Sequence, residues 1–213
     1  ELNDYEDALP FGAFSDRWIN RVLASQGAGE ALADEMGRDL DRVLEEHLAE
    51  MPPGAGCWGW KEPRSIYLVS FFDGAMPSLR FLHFIRDGRD MAFSENQQQL
   101  RKHGRAVIGG VDPFRRWARS IRLWARVNTE AADYCERALR DRYLRVRFED
   151  LCAEPRQTIE QVFDFFRVDG DAAAASAVVR PPSTLGRWRA KSPRVVERLN
   201  ELAGPALERF GYG

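Results

Sequence analysis

Apolar positions along the chain follow two periods, and their alternation sets the expected architecture. Leu32, Met36, Leu40, Val43, Leu44, Leu48 and Met51 fall at three- and four-residue steps, which predicts an amphipathic helix over 31–51. A second helix is predicted over 16–26. Ser15 would be its N-cap, Phe14 and Ile19 its hydrophobic staple, and Gly27 and Gly29 its end. The stretch before it, residues 1–14, reads as an acidic, turn-rich loop. CWGW (57–60) is a short strand candidate, and Pro63 opens a helix through SIYLVSFFDGA. RFLHFIRD (80–87) is a continuous apolar run, as in a strand covered on both faces. A helix to about Arg101 follows it, then a loop over 102–110.

Asp112-Pro113 is an N-cap and first-turn pair for a long helix, with Trp117, Ile121, Trp124, Ala131 and Cys135 on one face. YLRVRFEDL (143–151) alternates and reads as the third strand. Pro155 opens a helix whose Ile159, Val162, Phe163 and Phe166 face the core. A helix over 171–179, an ordered loop over 186–191 and a terminal helix from Ser192, interrupted at Gly204-Pro205, complete the chain. Strands alternating with helices predict an α/β layered fold with a mostly parallel sheet.

Composition narrows the class. With 213 residues and 44% apolar content the chain can bury a single core, and one domain over 1–213 is expected. Cys57, Cys135 and Cys152 lie far apart, without metal or disulfide spacing, which points to a reducing, cytoplasmic setting. No apolar run reaches membrane-span length. The net charge of −2 conceals a polarity. Residues 1–57 carry thirteen Asp/Glu against four Lys/Arg, and residues 86–147 carry fifteen Lys/Arg against eight Asp/Glu. Either the arginine-rich helices show solvated faces, or an anionic ligand sits near the basic half. There is no nucleic-acid reader motif.

The chemistry concentrates in FIRDGRDMAFS (84–94). Arg86 closes a strand, a turn with Gly88 follows, and Ser94 stands eight residues on, borne by the next helix. A phosphate suits such a junction, where a planar guanidinium, a hydroxyl and the free N–H groups of a helix start converge. The alternative is structural: Arg86 pairs with Asp87 or Asp90. Arg187 and Trp188, in LGRWR, are either anion contacts or a cation–π surface pair. Glu149 and Asp150 read as carboxylates ending a strand and capping the following turn. His47, His83 and His103 read as structural.

FIRDGRDMAFS resembles the 3′-phosphate-binding motif of the PAPS-dependent sulfotransferases. WGWKEPRS is similar to the Lys-Asp/Glu-Pro segment of their bacterial and protein-tyrosine members. YLRVRFEDLCAEPRQTIEQVFDFF resembles their Tyr-Glu-Asp-Leu and amphipathic-helix block, and LGRWR with the final Gly-Tyr resembles their C-terminal loop and end. The four blocks stand in family order over about residues 57–212. The resemblance implies a three-layer, P-loop NTPase-like sulfotransferase fold and transfer of a sulfuryl group from PAPS, the co-substrate, to an acceptor hydroxyl or amine, without a metal. The acceptor is a small molecule, glycan or peptide. By the same resemblance Lys61 is the catalytic lysine, Arg86 and Ser94 bind the 3′-phosphate, and Arg187 and Trp188 close over the nucleotide.

Two departures qualify this. Pro63 stands where small-molecule sulfotransferases carry their basic His, leaving Glu62 and Asp7 as candidates for the base, with Asp4 and Glu6 beside Asp7. The family's Ser-Gly-Thr-type 5′-phosphate loop has no counterpart in residues 1–213, and a first strand with that loop is expected upstream of residue 1. The rival expectations are a non-catalytic sulfotransferase-like binding module and a P-loop small-molecule kinase.

Overall fold

A computed structural model describes residues 10–25, 29–52, 54–109 and 115–213. The chain divides into two compact units, Glu1–Pro77 and Ser78–Gly213. Asp4, Glu6, Asp7, Gly27 and the Asp112-Pro113 pair lie outside the described residues.

In the first unit, helix α1 (Pro10–Ala24) starts five residues before the expected cap at Ser15. Proline suits the first helical position, and Phe11, Phe14, Trp18 and Ile19 form one buried stripe that continues into the expected loop. Ser15 is buried inside the helix and does not cap it. Helix α2 (Glu30–Ala49) matches its prediction and buries Met36, Leu40 and Val43. Asp39 joins the two helices, accepting from Trp18 Nε1 and Arg17 at 2.7 Å each.

Residues 57–60 are not a strand. The Gly59 carbonyl accepts from His47 Nε2 at 3.1 Å, and Trp60 stacks on Phe11 with ring centroids 4.2 Å apart. The segment is thereby held by side chains of α1 and α2 and not by a neighbouring strand. A 3₁₀ turn (Pro63–Tyr67) and helix α3 (Val69–Ala75) follow.

In the second unit, strands β1 (Phe81–Ile85) and β2 (Tyr143–Arg147) pair in parallel, with Phe81 opposite Tyr143 and Ile85 opposite Arg147. They form a two-stranded sheet among the described residues, one strand fewer than expected. Between them run α4 (Gly88–Ala92), α5 (Gln98–Ile108) and α6 (Arg116–Ala138). After β2 come α7 (Phe148–Ala153), α8 (Pro155–Phe166), α9 (Ala172–Ala177) and α10 (Pro193–Arg209). The core gathers Ile85, Ile121, Trp124, Leu199, Leu207 and Phe210 from β1, α6, α10 and the chain end.

Five expectations differ from the structure. β1 is covered on one face: His83 and Ile85 are buried, while Phe84 is 47% exposed on the other. The helix after β1 breaks over residues 93–97, so Ser94 lies in a turn, and the expected loop over 102–110 is largely helical as α5. The apolar face of α8 is half-buried, with Thr158 its one buried residue. Finally, α10 runs through Pro205. An interior proline costs about 3 kcal/mol, but Leu199, Ala203, Ala206 and Leu207 are buried on both sides of it, and a single buried Leu contributes about 2 kcal/mol. No helix among the described residues is long and apolar enough to cross a membrane.

His83 is a core group. Its Nε2 donates to Asn128 Oδ1 and its Nδ1 accepts from the Tyr143 hydroxyl, both at 2.8 Å, because the Asn128 amide nitrogen already donates to the Trp124 carbonyl. Burial lowers its pKa from 6.5 to about 4. The folded state therefore resists protonation that the unfolded chain accepts. The stability this provides is complete above pH 6.5 and lost as pH falls from 6.5 to about 4. The full loss is roughly 3 kcal/mol, at about 1.4 kcal/mol per unit. Denaturant midpoints measured across this window should fall more steeply for the wild type than for His83→Gln. Equal slopes would remove His83 from the acid response.

Candidate functional site

The site in the second unit begins with a turn built by two aspartates. Asp87 caps α4: its carboxylate accepts from Arg89 N–H at 2.8 Å and holds the Arg89 guanidinium at 2.9–3.2 Å. Asp87 N–H itself donates to Glu149 Oε1 at 3.1 Å, which ties the start of α7 to the end of β1. Glu149 also accepts from the Tyr212 hydroxyl at 2.7 Å, in keeping with its expected structural role. The helix start is therefore capped by its own side chain at the Arg89 N–H.

Trp124 packs against this turn. Its Nε1 donates to the Arg86 carbonyl at 3.0 Å, and a Cβ on Gly88 would come within 2.4 Å of its ring. Only glycine lets the turn lie so close to a buried indole.

Asp90 makes the connection that brings the arginines together. It is 1% exposed, and its carboxylate accepts from Arg86 Nη2 at 3.2 Å, Gly186 N–H at 2.7 Å and Trp188 N–H at 3.2 Å. Gly186 adopts φ +73°, the left-handed region that glycine favours, and the 3₁₀ turn Arg187–Ala190 follows. The Thr184 carbonyl then collects both guanidiniums, Arg86 Nη2 at 2.8 Å and Arg187 Nε at 3.2 Å. Arg187 Nη1 reaches the carbonyl of Phe93, the residue before Ser94, at 3.1 Å. Arg86 lies 5.1 Å over the Phe148 ring.

Arg86, Arg187, Trp188 and the turn bearing Ser94 thus form one cluster. Buried donors remain in it: Arg86 Nε and Trp188 Nε1 have no hydrogen-bond partner among the described residues. Buried polar groups are seldom left so, and an unpaired guanidinium N–H marks a place for an acceptor. Arg86 pairs with Asp90, as its structural alternative required, and still keeps this free donor. Trp188 stacks under Arg89 at 3.9 Å and Arg189 at 4.8 Å, so its cation–π partners are these and not Arg187.

The first unit carries the other candidates. Lys61 is exposed on the irregular segment before the 3₁₀ turn. Glu62 caps that turn, accepting from Arg64 N–H at 2.8 Å, and its two oxygens also hold the Arg64 guanidinium at 2.8 and 2.9 Å. Arg64 reaches on to Asp16 at 2.6 Å. Asp7 lies outside the described residues.

The model of the Sulfotransferase family matches residues 8–172, more than half of the chain. The chain belongs to the sulfotransferase family. It is 24% identical over 234 positions to Protein-tyrosine sulfotransferase 1 of Danio rerio, with 92% of this chain and 63% of that protein covered. The chain thus spans a little under two thirds of that relative's length. In fold it resembles the Sulfotransferase Domain from the Curacin Biosynthetic Pathway, with a TM-score of 0.58 and 14% identity over 84% of this chain and 68% of that one. As a sulfotransferase-family chain it has the mixed α/β fold with a small parallel sheet that this likeness implies. The family match includes Lys61, Arg86 and Ser94 but ends before Arg187 and Trp188.

Sequence reasoning missed Thr184 and treated Asp90 only as a possible ion-pair partner. Asp90 carried a signal, four residues after Arg86 and so on its side of a helical turn. Thr184 acts mainly through its backbone carbonyl, which residue identity does not reveal.

The Gly88 contact gives a stability test. Gly88→Ala should lower unfolding stability by about 2 kcal/mol, the usual cost of overpacking, measured by chemical denaturation. A loss under about 0.5 kcal/mol would show that the indole yields.

Proposed function

We propose that the protein is a PAPS-dependent sulfotransferase, moving a sulfuryl group from PAPS to an acceptor hydroxyl or amine. The observation that carries the donor half is the buried, unpartnered Arg86 Nε beside Arg187. Arg86 gives a phosphate a planar donor, and Arg187 adds a second charge. The Ser94 hydroxyl makes no hydrogen bond among the described residues and adds a neutral donor. Trp188 closes the nucleotide's side of the site. This reading includes the three-layer, P-loop-like arrangement with the donor across the carboxyl ends of the strands, where Arg86 follows β1.

The reaction is a substitution at sulfur. A bond forms from the acceptor oxygen or nitrogen to sulfur as the bond from sulfur to the donor's 5′-phosphate oxygen breaks. The acceptor proton passes to a base, and adenosine 3′,5′-bisphosphate leaves. Charge builds on the departing phosphate, and Lys61 is assigned to stabilise it. Asp7 and Glu62 are the candidate bases. Glu62 would first have to release Arg64, which favours Asp7. The chemistry as written uses no metal. The name of the Danio rerio relative favours a peptide acceptor over a glycan or small molecule. The dispersed free thiols Cys57, Cys135 and Cys152 fit a reducing, cytoplasmic setting.

Calorimetry should show adenosine 3′,5′-bisphosphate binding more tightly than ADP, with Arg86→Ala weakening it about 10- to 100-fold, as expected for loss of a charged hydrogen bond. Equal affinity for the two nucleotides, or an unaffected variant, would sink the donor assignment. With PAPS and a peptide acceptor, Lys61→Ala should lower kcat about 100-fold or more and leave nucleotide affinity nearly unchanged. Unaltered kcat would strip Lys61 of its role.

A further inference from the structure

From the geometry of Asp90 we infer that it is a positioning residue, a buried latch that holds the loop 184–190 in place so that Arg187 joins Arg86 on one anion. The inference rests on the donor reading above and deepens it.

Asp90 stands in apparent electrostatic conflict with the site it serves. A carboxylate bonded to the arginine that receives an anion opposes that anion by charge. If electrostatics were its whole effect, Asp90 would weaken the site. Its other two bonds explain it. They go to the backbone N–H groups of Gly186 and Trp188, which flank Arg187. Asp90 thus grips the loop on both sides of the residue it presents. With Arg187 fixed, its Nε reaches the same Thr184 carbonyl as Arg86 Nη2.

The loop needs such a grip. Beyond Trp188 it borders an open cleft of about 750 Å³, lined by Arg189, Lys191, Asn200 and Glu201 among others. Its other anchors are the Arg86 guanidinium on the Thr184 carbonyl at the loop's start, Trp188 under Arg89 and Arg187 to the Phe93 carbonyl, with Lys191 just beyond the loop over the Phe93 ring. Asp90 accepts from the loop backbone itself. A guanidinium placed in advance loses less freedom when an anion arrives, and that gain offsets the carboxylate's repulsion.

The two effects have opposite signs, which makes the test decisive. Asp90→Asn keeps the shape and removes the charge. If Asp90 positions the loop, adenosine 3′,5′-bisphosphate should bind about tenfold more weakly to this variant by calorimetry. Affinity that is unchanged or higher overturns the proposal. In a double-mutant cycle with Arg187→Ala, the two losses should be markedly less than additive, because Asp90 acts through Arg187. Additive losses overturn it.

Limited trypsin digestion without nucleotide reads the loop directly. Cleavage after Arg187, Arg189 and Lys191 should be several-fold faster in Asp90→Asn, and an unchanged rate overturns the latch. Should the wild type bind no bisphosphate nucleotide, the donor reading fails, and the trypsin rate alone decides whether the latch exists. Should Asp90→Asn fail to fold, Gly186→Ala takes its place in the same measurements. It strains the left-handed Gly186 and disturbs the bond to Asp90 while leaving the buried carboxylate intact.

Discussion

The second unit depends on a buried carboxylate that cannot be left unpaired. Asp90 sits at 1% exposure, where an isolated charge would be very costly. It is tolerable only because a guanidinium and two backbone N–H groups converge on it. Those donors come from the end of β1 and from a loop nearly a hundred residues later in the chain. Meeting one local electrostatic demand therefore fixes a long-range contact. The neighbouring Asp87–Arg89 pair works alike. Its guanidinium continues to the Tyr212 carbonyl at 2.6 Å, fastening the chain end to the same turn. Adjacent pairs of opposite charge thus hold the loop and the tail against β1.

Packing reinforces these pairs. Trp124 fills the space over Gly88 and donates to the Arg86 carbonyl, so the same side chain sets the turn's position and satisfies its backbone. Phe210 and Tyr212 pack edge-on against that indole at 5.8 and 6.2 Å. A rigid turn is what an anion site requires, since a guanidinium that must be ordered on binding gives up affinity. The first unit repeats the device on a smaller scale, with Arg64 held between Glu62 and Asp16 just after Lys61.

Much of the candidate site was legible in the chain. Strand β1 showed as an apolar run, with Arg86 at its end and Ser94 eight residues on, while Lys61 stood out only through the resemblance of WGWKEPRS. The errors have definite causes. Ser15 looked like a cap because capping residues are polar, but the buried stripe from Phe11 to Ile19 carried the helix back to Pro10. CWGW looked like a strand because it is short and apolar, but such runs can bind to neighbouring helices through backbone and ring contacts instead. Gly204-Pro205 looked like a stop because proline removes a hydrogen bond, and burial on either side outweighed it.

Local spacing and residue type by themselves determined where the strand–turn unit lies, which guanidinium closes it and which helices are amphipathic. Those properties follow from neighbours a few residues apart. Only the tertiary structure decided that Asp90 is buried, that its partners come from Gly186 and Trp188, and that Thr184 joins Arg86 to Arg187. These facts rest on backbone groups distant in sequence, and every residue presents the same backbone. Side-chain identity cannot encode them, so they exist only once the chain has folded.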